Sequence, residues 1–187
     1  MLYFKFAEFQ IEISNQLNHS CGSVDNVRRF DRETYLGTDG HVSSQHAVVL
    51  KRDEEDEEEI ASHLFAAHGG ASGIHEHSAV IHNNRLLLAV GNRLCALEIP
   101  SLDVVWKTKV DMVTCFGVHL PPRCDCLISH GELDISHLDF DGKIEWQSGG
   151  ADIFTGDFEI FENHIEAEDW NGQRYHFDIK NGKSERI

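Results

Sequence analysis

One interval constrains this chain more than any other feature. Trp106 and Trp146 stand forty positions apart, and Arg186 stands forty beyond Trp146. Around each, the chain repeats one phrase. Leu97-Glu98-Ile99 runs through a turn to Val104-Val105-Trp106. Leu138-Asp139-Phe140 runs through Asp141-Gly142 to Lys143-Ile144-Glu145-Trp146, and Phe177-Asp178-Ile179 runs through Asn181-Gly182 to Lys183-Ser184-Glu185-Arg186. A period of that length marks an array of supersecondary units that bury their faces against one another.

The spacing inside the units is that of strands. Cys95, Leu97 and Ile99 share one face, as do Val104, Trp106, Thr108 and Val110, the alternation expected of half-buried β-strands. Leu86 to Val90 is apolar at every position, which predicts a strand covered on both sides. Asn83-Asn84, Gly91-Asn92, Trp170-Asn171-Gly172 and Lys180-Asn181-Gly182 supply turns between them. Nearer the N-terminus, Leu2, Phe4 and Phe6 alternate and then slip phase near Glu8 before Phe9, Ile11 and Ile13, which predicts a bulged strand. Arg29 to Leu36 reads as a weak copy of the later phrase, Thr38-Asp39-Gly40 as a hairpin turn, and His46 to Leu50 as a short strand.

One stretch breaks the pattern. Asp53 can cap a helix, acids fill its first two turns, and Ile60, Leu64, Phe65 and His68 fall on one helical face before Gly69-Gly70. The expectation is a helical insertion over 53–68 followed by a Gly-rich linker to residue 73. At 187 residues the chain has room for one domain with a real core, so 1–187 is read as a single β-repeat domain.

The repeat resembles the blades of quinoprotein-type (PQQ-like) β-propellers. In that family a strand ends in an Ala-Leu-Asp-like triplet, a Gly-containing turn follows, and the next strand begins Lys-x-x-Trp. Ala96-Leu97-Glu98 with Trp106, His137-Leu138-Asp139 with Gly142 to Trp146, and Phe177-Asp178 with Gly182-Lys183 carry the likeness over about 78–187, Arg186 replacing the last Trp. The resemblance implies an all-β fold of four-stranded antiparallel sheets, as a small four-bladed or an open, incomplete propeller, with a β-sandwich as the alternative. It does not carry the cofactor, because the family's quinone and calcium sites need a complete ring of many blades.

Charge narrows the partners. There are 16 Lys plus Arg against 32 Asp plus Glu, a net charge of −16, and seven of the acids lie in the run 53–59. Eight acids and no base lie between Lys143 and Arg174. Such a field repels phosphate backbones and attracts a basic protein, so the expected partner is a protein and not a nucleic acid. No window reaches the roughly 20 apolar residues of a membrane span. Five cysteines, an odd number, follow an N-terminus without a basic leader, from which reduced thiols and a cytoplasmic location are expected.

Two clusters could bind metal. Of thirteen histidines, His63, His68, His75, His77 and His82 are close in sequence, and His75-Glu76-His77 on a strand would present two imidazoles on one face. His119, Cys124, Cys126 and His130 flank Pro121-Pro122, although structural zinc sites space their thiols by two to four residues. Asp139-Phe140-Asp141-Gly142 and Asp169-Trp170-Asn171-Gly172 resemble the opening of a calcium loop but lack its full ligand set, and are read as turns. No catalytic, cofactor or metal residue is assigned at this level. The reading is a non-enzymatic, intracellular interaction module, in its sharpest form an immunity-type protein masking a basic partner. The alternatives are a metal-dependent enzyme using His75 and His77, and a subunit that assembles through a sheet edge.

Overall fold

The computed structural model describes residues 1–37, 41–52 and 58–187. Every regular element among the described residues is a β-strand, and the strands form four sheets, none closed into a barrel. Sheet I contains β1 (Leu2–Phe6), β2 (Phe9–Asn15), β3 (Arg32–Tyr35), β4 (Ser44–Arg52) and β5 (Glu59–Ala67), in the order β1-β2-β4-β5-β3. Sheet II is β6 (Ala79–His82), β7 (Arg85–Val90), β8 (Arg93–Glu98) and β9 (Val104–Lys109). Sheet III is β10 (Cys115–His119), β11 (Leu127–Gly131), β12 (Asp134–Leu138) and β13 (Ile144–Gly149). Sheet IV is β14 (Phe154–Ile160), β15 (His164–Asp169), β16 (Arg174–Asp178) and β17 (Ser184–Arg186). Sheets II to IV are antiparallel meanders, whereas in sheet I β3 runs parallel to β5.

Strand alternation decides which sheet meets which. In sheet II, Leu86, Leu88, Val90, Cys95 and Leu97 pack on Ile11, Ile13, Val48, Leu50 and Phe65 of sheet I. The opposite parity, Leu87, Ala89, Leu94 and Ala96, packs on Cys115, Val118, Leu127 and Leu138 of sheet III. Sheet III in turn gives Ile128 and Ile135 to Phe154, Ile165, Ala167, Tyr175 and Phe177 of sheet IV. This is why Leu86 to Val90 is apolar throughout: both its faces are interfaces. Sheet IV has one apolar face only. Its other face carries His164, Glu166, Glu168, Arg174 and His176, joined by ion pairs such as Arg174 to Glu166 at 3.7 Å.

The two repeated tryptophans lock neighbouring sheets. Trp106 on β9 donates its indole N–H to the Phe140 carbonyl of sheet III at 2.9 Å, and Trp146 on β13 donates to the Ile179 carbonyl of sheet IV at 3.0 Å. Each ring lies on a turn glycine. A Cβ on Gly142 would come within 2.5 Å of the Trp106 ring, and one on Gly182 within 2.6 Å of the Trp146 ring. Both glycines also have positive φ, +81° and +70°, a conformation other residues adopt at a cost.

Three expectations are corrected. Residues 59–67 of the expected helix form strand β5, while 53–57 lie outside the described residues, as does the 38–40 turn. From residue 62 to 67 the segment is covered on both faces, so its apolar residues match a buried strand as well as a helical face. Phe65 and Ala67 meet sheet II, and Leu64 and Ala66 are buried on the opposite parity. The phase slip near Glu8 is a two-residue hairpin, with Phe6 opposite Phe9 and Ala7 in the left-handed region, and not a bulge. Not all thiols are free: Cys124 and Cys126 form a disulfide, leaving Cys21, Cys95 and Cys115.

Candidate functional site

The first strands of sheets II, III and IV converge on a cleft of about 410 Å³. Its lining is contributed by all three units: His77 and Val80 at β6, Val118 and His119 on β10, and Phe158, Glu159 and Ile160 on β14. Leu120-Pro121-Pro122 closes one side. Gly117 makes the approach possible, since a Cβ there would meet the Cβ and carbonyl oxygen of His77 at 2.9 Å. The same contact lets the Val118 N–H donate to the His77 carbonyl at 2.9 Å.

Aromatic rings fill the floor. The His77 and His119 rings are 4.6 Å apart, His119 is 5.0 Å from Phe158, and His130 stacks on Phe158 at 4.1 Å. His130 lies on β11 directly opposite Gly117, and the edge of Phe116 meets it at 5.4 Å. The Nε2 atoms of His119 and His130 are buried and have no hydrogen-bond partner. Burial disfavours their charged forms and neighbouring imidazoles add to the effect, His77 and His75 on His119, and His119 followed by His77 and His75 on His130, so His119 is lowered to about 4 and His130 to about 3. At neutral pH both are uncharged rings, and such weak bases are poor proton acceptors for catalysis. Among the residues lining the cleft, Glu159 is the one carboxylate, and there is no serine, cysteine, lysine or arginine. The arrangement suits recognition of a group by shape, ring stacking and negative charge.

The sequence clusters are rearranged. His75-Glu76-His77 lies in the turn before β6, not on a strand. The His75 Nε2 lies 2.7 Å from the Phe116 carbonyl oxygen and its Nδ1 accepts from the His77 N–H at 3.3 Å. With Nε2 donating and Nδ1 accepting, His75 keeps no free lone pair for a metal. His63 is buried in sheet I and bonded to the Leu102 carbonyl, His68 sits against Gly37, and His82 stacks on Phe140 at 3.8 Å. His119 lines the cleft and His130 lies behind it, stacked on Phe158, whereas Cys124 and Cys126 face His137. The carboxylates of Asp139 and Asp169 turn back on their own loops: Asp139 accepts from the amides of Asp141 and Lys143, and Asp169 from those of Asn171 and Gln173. Both are Asx-type turns.

Phe158 and Glu159 do not stand out as sequence, yet a signal was present. Val80, His119 and Phe158 recur at intervals of 39 positions, close to the period of the repeat, and the strand registers carry them across their sheets to Trp106, Trp146 and Arg186, so they occupy equivalent places in three units.

No protein-family model matches the chain, and no curated protein matches it. Among solved structures, the computationally designed Ika8 protein is similar with a TM-score of 0.51 and 10% identity, over 83% of this chain and 51% of that one. The computationally designed Ika4 protein has a TM-score of 0.49 and 11% identity, over 60% of this chain and 73% of that one. The chain thus spans about half the length of Ika8, and at this identity the likeness is one of fold alone.

Proposed function

We propose that the chain is a non-enzymatic, intracellular protein-interaction module in which blade-like sheets follow one another as in a small or open β-propeller. Its site is the cleft shared by β6, β10 and β14. The docking of each indole on the next sheet's glycine turn supports the blade reading. The observation that carries the functional reading is the cleft's composition: apolar and aromatic walls, the uncharged His119 imidazole, and Glu159 at the opening, with Asp157 exposed on the same strand. A partner side chain with an apolar stem and a cationic head fits those walls. The net charge of −16 would speed its arrival, and an immunity-type protein masking a basic toxin is the sharpest form of this reading.

The metal-enzyme alternative is weakened because His75 has both ring nitrogens engaged. The test is affinity capture from the source organism with the wild-type chain and an Asp157→Lys/Glu159→Lys variant, identified by mass spectrometry. A basic protein retained at about 0.1 M salt, released towards 1 M as screening shortens from about 10 Å to about 3 Å, and lost from the variant is the expected result. Capture of the same proteins by both chains would end the proposal.

A further inference from the structure

Cys124, Cys126 and His137 form a second constellation, on the face of sheet III that packs against sheet IV. The β11–β12 register sets Ile128 opposite His137. Cys126, two residues before Ile128, therefore lies on the same face and diagonal to that histidine. Arg123, in the left-handed region, forms the turn that brings Cys124 beside it. The two sulfurs and a ring nitrogen of His137 all lie within 4.8 Å of one another, with Cys124 Sγ 3.8 Å from Nε2. A separate observation concerns the imidazole itself. His137 Nδ1 is buried without a hydrogen-bond partner, and Nε2 faces sulfur. Neither nitrogen is engaged in fixing the backbone, unlike those of His63, which meet the Leu102 carbonyl and the Thr34 hydroxyl.

The geometry points to a redox-gated site for one soft d¹⁰ cation, Cu⁺ or Zn²⁺, held by both thiolates and His137 once the disulfide is reduced. A dithiol reductant supplies two electrons and two protons: the S–S bond breaks, two S–H groups form, and the reductant leaves as its own disulfide. Metal binding then displaces the two thiol protons. Two thiolates and an imidazole match the softness of Cu⁺ in trigonal coordination, and Zn²⁺ would complete four-coordination with a solvent ligand. In the oxidised form the sulfurs carry no thiolate charge and the site is closed to the ion.

The test titrates Zn²⁺ alone, and Cu⁺ alone under anaerobic conditions, against a chromophoric chelator. It compares the full chain reduced by a dithiol and desalted with the same chain left oxidised. Reduced protein should take up one equivalent and oxidised protein none at this site. Cys124→Ser/Cys126→Ser should abolish uptake, and His137→Ala should weaken it by about tenfold or more. Co²⁺ gives a readout that folding alone does not move: its thiolate charge-transfer band should appear on reduction and shift in the His137→Ala protein. His119→Gln/His130→Gln should bind as wild type. Equal uptake by reduced wild type and the double serine variant overturns the site, and so does equal uptake by oxidised and reduced protein. An unchanged affinity and spectrum in His137→Ala overturns the three-donor assignment. Circular dichroism checks each variant's fold, with Cys124→Ser alone as the milder substitution on a half-buried residue.

Discussion

Sheet I and sheets II to IV dock onto their neighbours with different chemistry. Sheets II and III each extend an indole onto the next unit's turn, an N–H to a carbonyl and a flat ring over a glycine. Sheet I has no tryptophan and meets sheet II through polar groups. His63 Nδ1 donates to the Leu102 carbonyl at 3.0 Å, His46 lies 3.1 Å from the carbonyls of Ala89 and Ser72, and Arg32 reaches the Asp103 carboxylate and the Ser101 carbonyl. The apolar packing between the sheets is the same in kind. Face complementarity therefore sets which sheets stack, while the anchor that fixes their register can be a ring or a polar clamp.

The largest expected effect tests that contrast. Trp146→Ala should cost about 3–5 kcal/mol in urea unfolding, the usual range for removing a large aromatic from a packed site. Arg32→Ala, which breaks a partly exposed ion pair, should cost about 1 kcal/mol or less. Equal losses would mean that the clamp and the indole are energetic equivalents, and the comparison would collapse.

A smaller effect separates turn geometry from anchoring. Gly142 and Gly172 both end Asp-x-x-Gly turns with positive φ, +81° and +76°, but Gly142 lies under an indole whereas nothing lies within 4 Å of a Cβ on Gly172. Gly172→Ala should cost about 1 kcal/mol, the backbone strain alone. Gly142→Ala should cost about 2–3 kcal/mol, because the Trp106 ring must also move. Its tryptophan fluorescence should shift as well, and an unchanged spectrum with equal losses would show that the ring does not depend on the glycine.

The regions differed in legibility for physical reasons. In sheets II to IV the connections are local hairpins, so alternation and Asp-Gly or Asn-Gly turns suffice to place β7 to β9 and β12 to β13. Sheet I depends on contacts that no local pattern encodes. Its β3 pairs in parallel with β5 across a long connection, and β5 carries Leu64, Phe65, Ala66 and Ala67 with both parities buried. Two buried parities erase the alternation that distinguishes a strand from a helix. The cleft is half legible: His77 and His119 stand in histidine clusters of the sequence, but their convergence on Phe158 comes from stacking three units. No local pattern ties His137 to the cysteines, since His119 and His130 stand nearer to them in sequence. The hairpin register, 128 opposite 137, is what brings it to them.

The histidines of the two regions provide the last and smallest test. His46 and His63 are also lowered by burial, but the carbonyls they face pull in the opposite direction. His119 and His130 have no such partners, and the titratable groups that act on them are His77 and His75, with His119 acting on His130 as well. An imidazole held at about 4 or 3 in the fold against 6.5 when unfolded binds its proton more readily in the unfolded chain. Its contribution to stability is therefore complete above about 6.5 and declines as pH falls through that value towards the folded one. Between pH 7 and 5.5, before most carboxylates titrate, each should remove on the order of 1 kcal/mol. His119→Gln/His130→Gln should flatten that slope in chemical denaturation, and His63→Gln should change it less. A double variant with the wild-type slope would mean that the cleft imidazoles find a proton acceptor or water in the folded protein, and that the cleft is wetter than its apolar walls imply.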